Sequence, residues 1–182
     1  MALDVSPRTY RFLQADILTS GYRVVGKMTV TSSGAMGMLN DPNKSAMEVN
    51  DARLARLHMP TKLVDHFEVV RMMKPHIHAV CMSRKEDLGP QSIVRGGFTN
   101  LMEYPVRITT ENFEIEGTME LSGRFDYSAF MFEGTRDFLP IFNATLTSIL
   151  IPSLRIESAG MMINRKHIDM MALLNQRIKE EK

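Results

Sequence analysis

The sequence has no tryptophan, a single cysteine and only four tyrosines among 182 residues. One cysteine, Cys81, has no partner in the chain, so a disulfide framework is excluded. The scarcity of large aromatic side chains argues against a stacking platform for single-stranded nucleic acid. There is no run of about 18 apolar residues, so no transmembrane helix and no membrane partner are expected. Residues Met1 to Arg8 lack a basic start followed by an apolar stretch and do not read as a secretory signal. With the lone cysteine, this predicts a cytoplasmic protein. An excess of one charge is missing too. Twenty-two basic and 21 acidic residues leave a net charge of +1, unlike a dedicated nucleic-acid binder. Residues 1–90 carry 12 basic and 9 acidic side chains, and residues 91–182 carry 10 and 12, so opposite signs fall on the two halves.

Apolar residues make up 44% of the chain and charged ones 24%, the balance of a globular protein with a core. Sixteen methionines stand out. They pair at Met72-Met73, Met161-Met162 and Met170-Met171. Methionine fills irregular cores and also builds adaptable interfaces; core is the first reading and interface the second.

Internal periodicity organises the rest. The segment Ile17 to Met28 matches Ile108 to Met119 at an offset of 91, with Tyr22 against Phe113, Val24 against Ile115 and Gly26 against Gly117. Further on the offset becomes 92: Met47 meets Leu139, Ala52 meets Ala144 and Leu54 meets Leu146. A third match sets Cys81-Met82-Ser83-Arg84-Lys85 against Met162-Ile163-Asn164-Arg165-Lys166 at offset 81. It implies about eleven extra residues in the first copy, around His66–His78.

Within one copy, Val106 to Leu121 alternates apolar and charged residues on either side of Thr109–Asn112, as two half-buried strands joined by a turn would. Gly26 and Gly117 fall inside a strand, where a bulge or sharp bend is expected. Short helical pieces follow at Met36–Leu39 and Tyr127–Phe132. Third strands are expected near Ala46–Leu57 and Phe138–Leu150. Fourth strands fall at Phe67–Arg71 and Leu154–Ser158, and fifth strands at Ala79–Ser83 and Met161–Asn164. Met170, Met171, Leu174 and Ile178 form an apolar stripe at helical spacing, which predicts a C-terminal helix that packs on the sheets or receives a partner. The expected organisation is a first barrel over 10–88, a linker over 89–103, a second barrel over 104–166 and the helix over 167–182.

The pattern Val106-x-Ile108-x-Thr110-x-x-Phe113-x-Ile115-x-Gly117-Thr118 carries a resemblance, continued by Ser128-x-Phe130-Met131, Phe138-Leu139-Pro140-Ile141-x-Asn143-Ala144 and Ile163-Asn164-Arg165-Lys166-His167-Ile168. It resembles the Sm-like, or SH3-like, small β-barrels, in particular bacterial Sm-like domains of unknown function. The resemblance implies a mainly β fold of two tandem five-stranded barrels. It also implies edge-to-edge self-association, with three tandem chains making a six-barrel ring, and RNA as an alternative partner. The family's Asp-x-x-Asn signature would begin at Asp126, but Ala129 stands three residues later. Its Arg-Gly pair is replaced by Arg84-Lys85 and Arg165-Lys166.

Candidate chemistry is sparse, and no cofactor is expected. His76-x-His78 could present two imidazoles on one strand face as a metal pair, or simply be polar residues. A zinc site needs a second close ligand pair, and the sequence has none. Cys81, between Val80 and Met82, reads as a buried small hydrophobe before a nucleophile. Arg84, Lys85, Arg165 and Lys166 are candidate phosphate contacts or solvated charges. No phosphate-binding glycine loop and no nucleophile elbow occur. The expected function is a non-enzymatic binding or assembly module, with another protein as a further candidate partner.

Overall fold

The computed structural model describes residues 10–90 and 101–176, and these form one ten-stranded antiparallel sheet with few helical pieces. The chain enters with β1 (Arg11–Leu18) and β2 (Tyr22–Val30), then a six-residue helix α1 (Gly34–Leu39). Strands β3 (Ala46–Arg56), β4 (Leu63–Met73) and β5 (Ala79–Met82) follow, with the 3-10 turn Lys74–His76 between the last two. A second 3-10 turn, Lys85–Leu88, comes before the undescribed residues. Beyond them lie β6 (Met102–Thr109), β7 (Phe113–Leu121), a π-helical turn Ala129–Glu133, β8 (Phe138–Ser148) and β9 (Arg155–Asn164). The 3-10 turn Arg165–His167, β10 (Met170–Leu173) and a last 3-10 turn Leu174–Gln176 end the described chain.

The alternation read from the sequence sets the hairpins. Ile17, Ile108, Val24 and Ile115 are buried, and the charged residues between them face out. Pairing slips by a residue at Gly26, between Val25 and Lys27, and at Gly117, between Glu116 and Thr118. At these two bends the opposite strand comes very close. A Cβ on Gly26 would lie 2.6 Å from Val49 Cγ1, and one on Gly117 2.5 Å from Ile141 Cγ2. Across each bend the facing strand carries its one left-handed residue, Asp51 (φ 52°) in β3 and Asn143 (φ 47°) in β8. Asp and Asn tolerate that conformation best among residues with a Cβ.

Three sequence expectations need correction. The sheet is continuous and is not closed into a barrel. Its order is β10-β6-β7-β8-β9-β5-β1-β2-β3-β4, so β5 pairs with β1 and β9 and not with β4. Second, Cys81-Met82, matched in sequence to Met162-Ile163 of β9, lies on β5 and pairs with Met161 and Gly160 of that same strand, which makes the two segments ladder neighbours. Element for element, β3 stands to β8 at offset 92, while the turns Lys74–His76 and Arg165–His167, like β5 and β10, stand at 91. No eleven-residue insertion separates them, and the strands expected at Leu154–Ser158 and Met161–Asn164 merge into one, β9, which begins at Arg155. Third, Met170 and Met171 lie on β10, not on a helix. Met170–Leu173 is a short all-apolar run, whose period cannot distinguish strand from helix, and the open edge of β6 supplies backbone partners that an isolated helical turn lacks. Leu174 lies in the terminal 3-10 turn, and Ile178 lies outside the described residues, as does most of the expected 89–103 linker.

Two cores form, and each draws on both halves of the chain. The first gathers Ile17, Met28, Val49 and Val80 with Phe138, Phe142 and Met162. The second gathers Phe113, Ile115, Leu146 and Met161 with Leu18, Leu57, Ala79 and Cys81.

Candidate assembly interface

The internal joint is built by β5 and β9. Ala79, Val80, Cys81 and Met82 pair with Ile163, Met162, Met161 and Gly160. Alternation divides the side chains of β5: Val80 and Met82 enter the first core, Ala79 and Cys81 the second. All four are at most 4% exposed. Cys81 is packed among apolar neighbours, and burial first, then the Asp16 carboxylate, pushes its thiol well above the ordinary range. A thiolate nucleophile is not what such a site makes.

Polar groups lock the joint. The Asn40 amide donates to Phe138 O (3.1 Å) and its carbonyl accepts from Phe138 N (2.9 Å). The Asn164 amide donates to Ile77 O (3.0 Å), and Met82 N donates to Ser158 Oγ (3.1 Å). Lys74, nearly fully buried, spends its ammonium on main-chain carbonyls at the end of α1, Leu39 O at 3.0 Å and Asp41 O at 2.7 Å. Burial lowers its pKa, against the favourable field of Asp41 and Asp137.

The two histidines proposed as a metal pair separate. His76 is exposed in the 3-10 turn before β5. His78 is buried and stacks on His167, with ring centroids 3.9 Å apart, and meets Phe113 edge-on. Desolvation, then the neighbouring His167, lowers the His78 pKa to about 4. No group of three or more metal-ligating side chains occurs among the described residues.

The four candidate cations are engaged within the chain. Arg84 pairs with Asp87 at 3.0 Å. Lys85 pairs with Glu120 and lies 4.4 Å from the centre of the Phe142 ring. Arg165 donates to Phe130 O, and Lys166 pairs with Asp137 at 3.2 Å. Arg84 and Lys85 begin the turn after β5, whereas Arg165 and Lys166 precede β10, so the two pairs occupy different places in the fold.

An open groove of about 520 Å³ lies beside β4, where His66 Nε2 meets Asp51 Oδ1 at 2.6 Å and Lys27 lies 3.6 Å from Asp51. The hydrogen bond to His66 is the main cause holding the Asp51 carboxyl below its usual range. Among the described residues lining this groove, Phe12, Lys27, Asn50, Asp51, His66, Phe67 and Glu68, none carries a hydroxyl or thiol beside the His–Asp pair.

The fourth strand expected at Phe67–Arg71 forms within β4, and what sequence reasoning missed is that this strand lies bare at a sheet edge. Among the described residues it is one end of the sheet and pairs with β3 alone, and none of its eleven residues is buried. Leu63, Val64, Phe67, Val69 and Met73 are each more than 40% exposed. By contrast β9, the fourth strand of the second half, is buried along most of its length. The signal was present: β4 carries apolar residues on both faces, a pattern that calls for cover on both. The other end of the sheet is β10, where Met170 is 47% exposed.

A scan against family models, a search of curated proteins and a search of solved structures each found no match to this chain.

Proposed function

We propose that this protein is a non-enzymatic assembly module, made of a duplicated Sm-like unit, that self-associates through the free edges of its sheet. The observation that carries the reading is β4, an eleven-residue edge strand with five exposed large apolar side chains. A long, flat, apolar edge invites pairing, and proteins usually blunt or cover it. Duplication is supported by the same succession in each half: two strands, a helical turn, two strands, a 3-10 turn and a short strand. The left-handed residues Asp51 and Asn143 fall at matching places in that succession. Units joined head to tail close into a ring or run on as a filament. Three chains closing a ring of six units is the arrangement the family resemblance suggests. RNA binding through Arg84, Lys85, Arg165 and Lys166 has less support, because each of these side chains already has a partner in the chain.

Light scattering on the purified full chain at micromolar concentration tests this reading. The expected mass is a multiple of one chain. A single-chain mass across that range contradicts it.

A further inference from the structure

The two sheet ends are the unused counterparts of the joint already made inside the chain. The ladder positions of β9 at that joint, Gly160 to Ile163, lie opposite Phe142 to Leu139 on β8. On β3, Asn50 to Met47 face Val69 to Met72 in the same way. Likewise β5 and β10 follow matching turns and pair with matching stretches of β1 and β6. Four contacts of the internal joint therefore have named equivalents that are open: Val69, Val70, Arg71 and Met72 on β4, and Met170 to Leu173 on β10.

A cleft marks where the joint would form. An apolar space of about 210 Å³ is lined by Tyr22, Val24, Ala52, Leu54, Val70 and Met72, among others. Their counterparts in the second half are Phe113, Ile115, Ala144, Leu146, Met161 and Ile163, all in the second core. There they enclose Ala79 and Cys81 from β5. The first half thus has the same walls, and among the described residues no neighbouring strand places a side chain between them. On β10, Met171 and Leu173 face their own core, which leaves Met170 and Ala172 pointing to the outer side. Ile149 is 45% exposed, whereas its counterpart Leu57 is 9% exposed at the internal joint.

We infer that the occupant of this cleft is β10 of a second copy of this chain, with Met170 and Ala172 entering it. The register copies the internal joint: Met170 opposite Met72, Met171 opposite Arg71, Ala172 opposite Val70 and Leu173 opposite Val69. Ile149 of the incoming copy is covered in the same step. Charge agrees with this choice. Where His78 stacks on His167 inside the chain, the equivalents are Asp169 of the incoming copy and His76, a carboxylate facing an imidazole. This inference rests on the self-association reading and adds to it the segment, the cleft and the register.

A cysteine pair tests it. In a Cys81→Ala background, Val70→Cys and Ala172→Cys stand directly opposite across the proposed joint, as Cys81 and Met161 do inside the chain. Mild oxidation is expected to give disulfide-linked dimers and higher species, and Glu68→Cys with Ala172→Cys is expected to give few. Absence of cross-links from a chain that light scattering finds oligomeric would overturn the register and leave self-association standing. A single-chain mass would overturn both. Met170→Asp, at an exposed position that the fold of one chain does not need, is a second test. It is expected to weaken association at least tenfold with an unchanged circular dichroism spectrum, and wild-type association in this variant would equally overturn the inference.

Discussion

His78 has a well-defined electrostatic role: it is a buried imidazole whose Nδ1 finds no hydrogen-bond partner. It stays neutral in the folded chain down to about pH 4, whereas in the unfolded chain it takes up a proton near 6.5. Its contribution to stability is therefore fully present above pH 6.5 and is lost as pH falls from 6.5 toward 4. At about 1.4 kcal/mol per pH unit, the loss across that window is on the order of 1–3 kcal/mol. Urea midpoints measured at pH 7 and pH 4.5 should show it, and His78→Leu should shrink the difference. Cys81 makes a second residue-scale prediction. A thiol this buried should resist alkylating reagents in the native protein and react only on unfolding. Fast labelling of the native chain would contradict its placement. Cys81 was readable from its apolar neighbours in sequence. His78 was not, because its burial and its stacking on the distant His167 arrive only with the fold.

At the scale of elements, the glycines of the two bends were legible and their cost can be measured. Gly26→Ala and Gly117→Ala place a methyl group against the strand crossing them, where backbone as well as side-chain atoms lie within about 3 Å. Each is expected to cost roughly 1–3 kcal/mol in chemical denaturation, as overpacking does. A neutral result would mean that β3 and β8 can shift away. The hairpins were legible because alternation is a local signal. The fifth strands were not all so. Met170–Leu173 is an all-apolar run too short for its period to tell helix from strand, and pairing with the edge of β6 decides between them.

On the scale of the whole molecule, the sequence pointed to two tandem five-stranded barrels, and the chain forms one open sheet. The difference lies in where β5 goes. Sequence patterns mark which residues are strand-forming, but not which strand they will lie beside, and β5 pairs with β9 instead of closing on β4. That choice buries β9, leaves β4 bare and provides the template for the proposed joint between chains. Hydrogen exchange along β4 tests the central claim most directly. In the assembled protein, the amides of Val69 to Met72 that point away from β3 should be protected, as those of β9 are at the internal joint. The protection should vanish on dilution to single chains or in Met170→Asp. Exchange of those amides at the rate of free backbone in the assembled protein, with β9 still protected, would contradict the account.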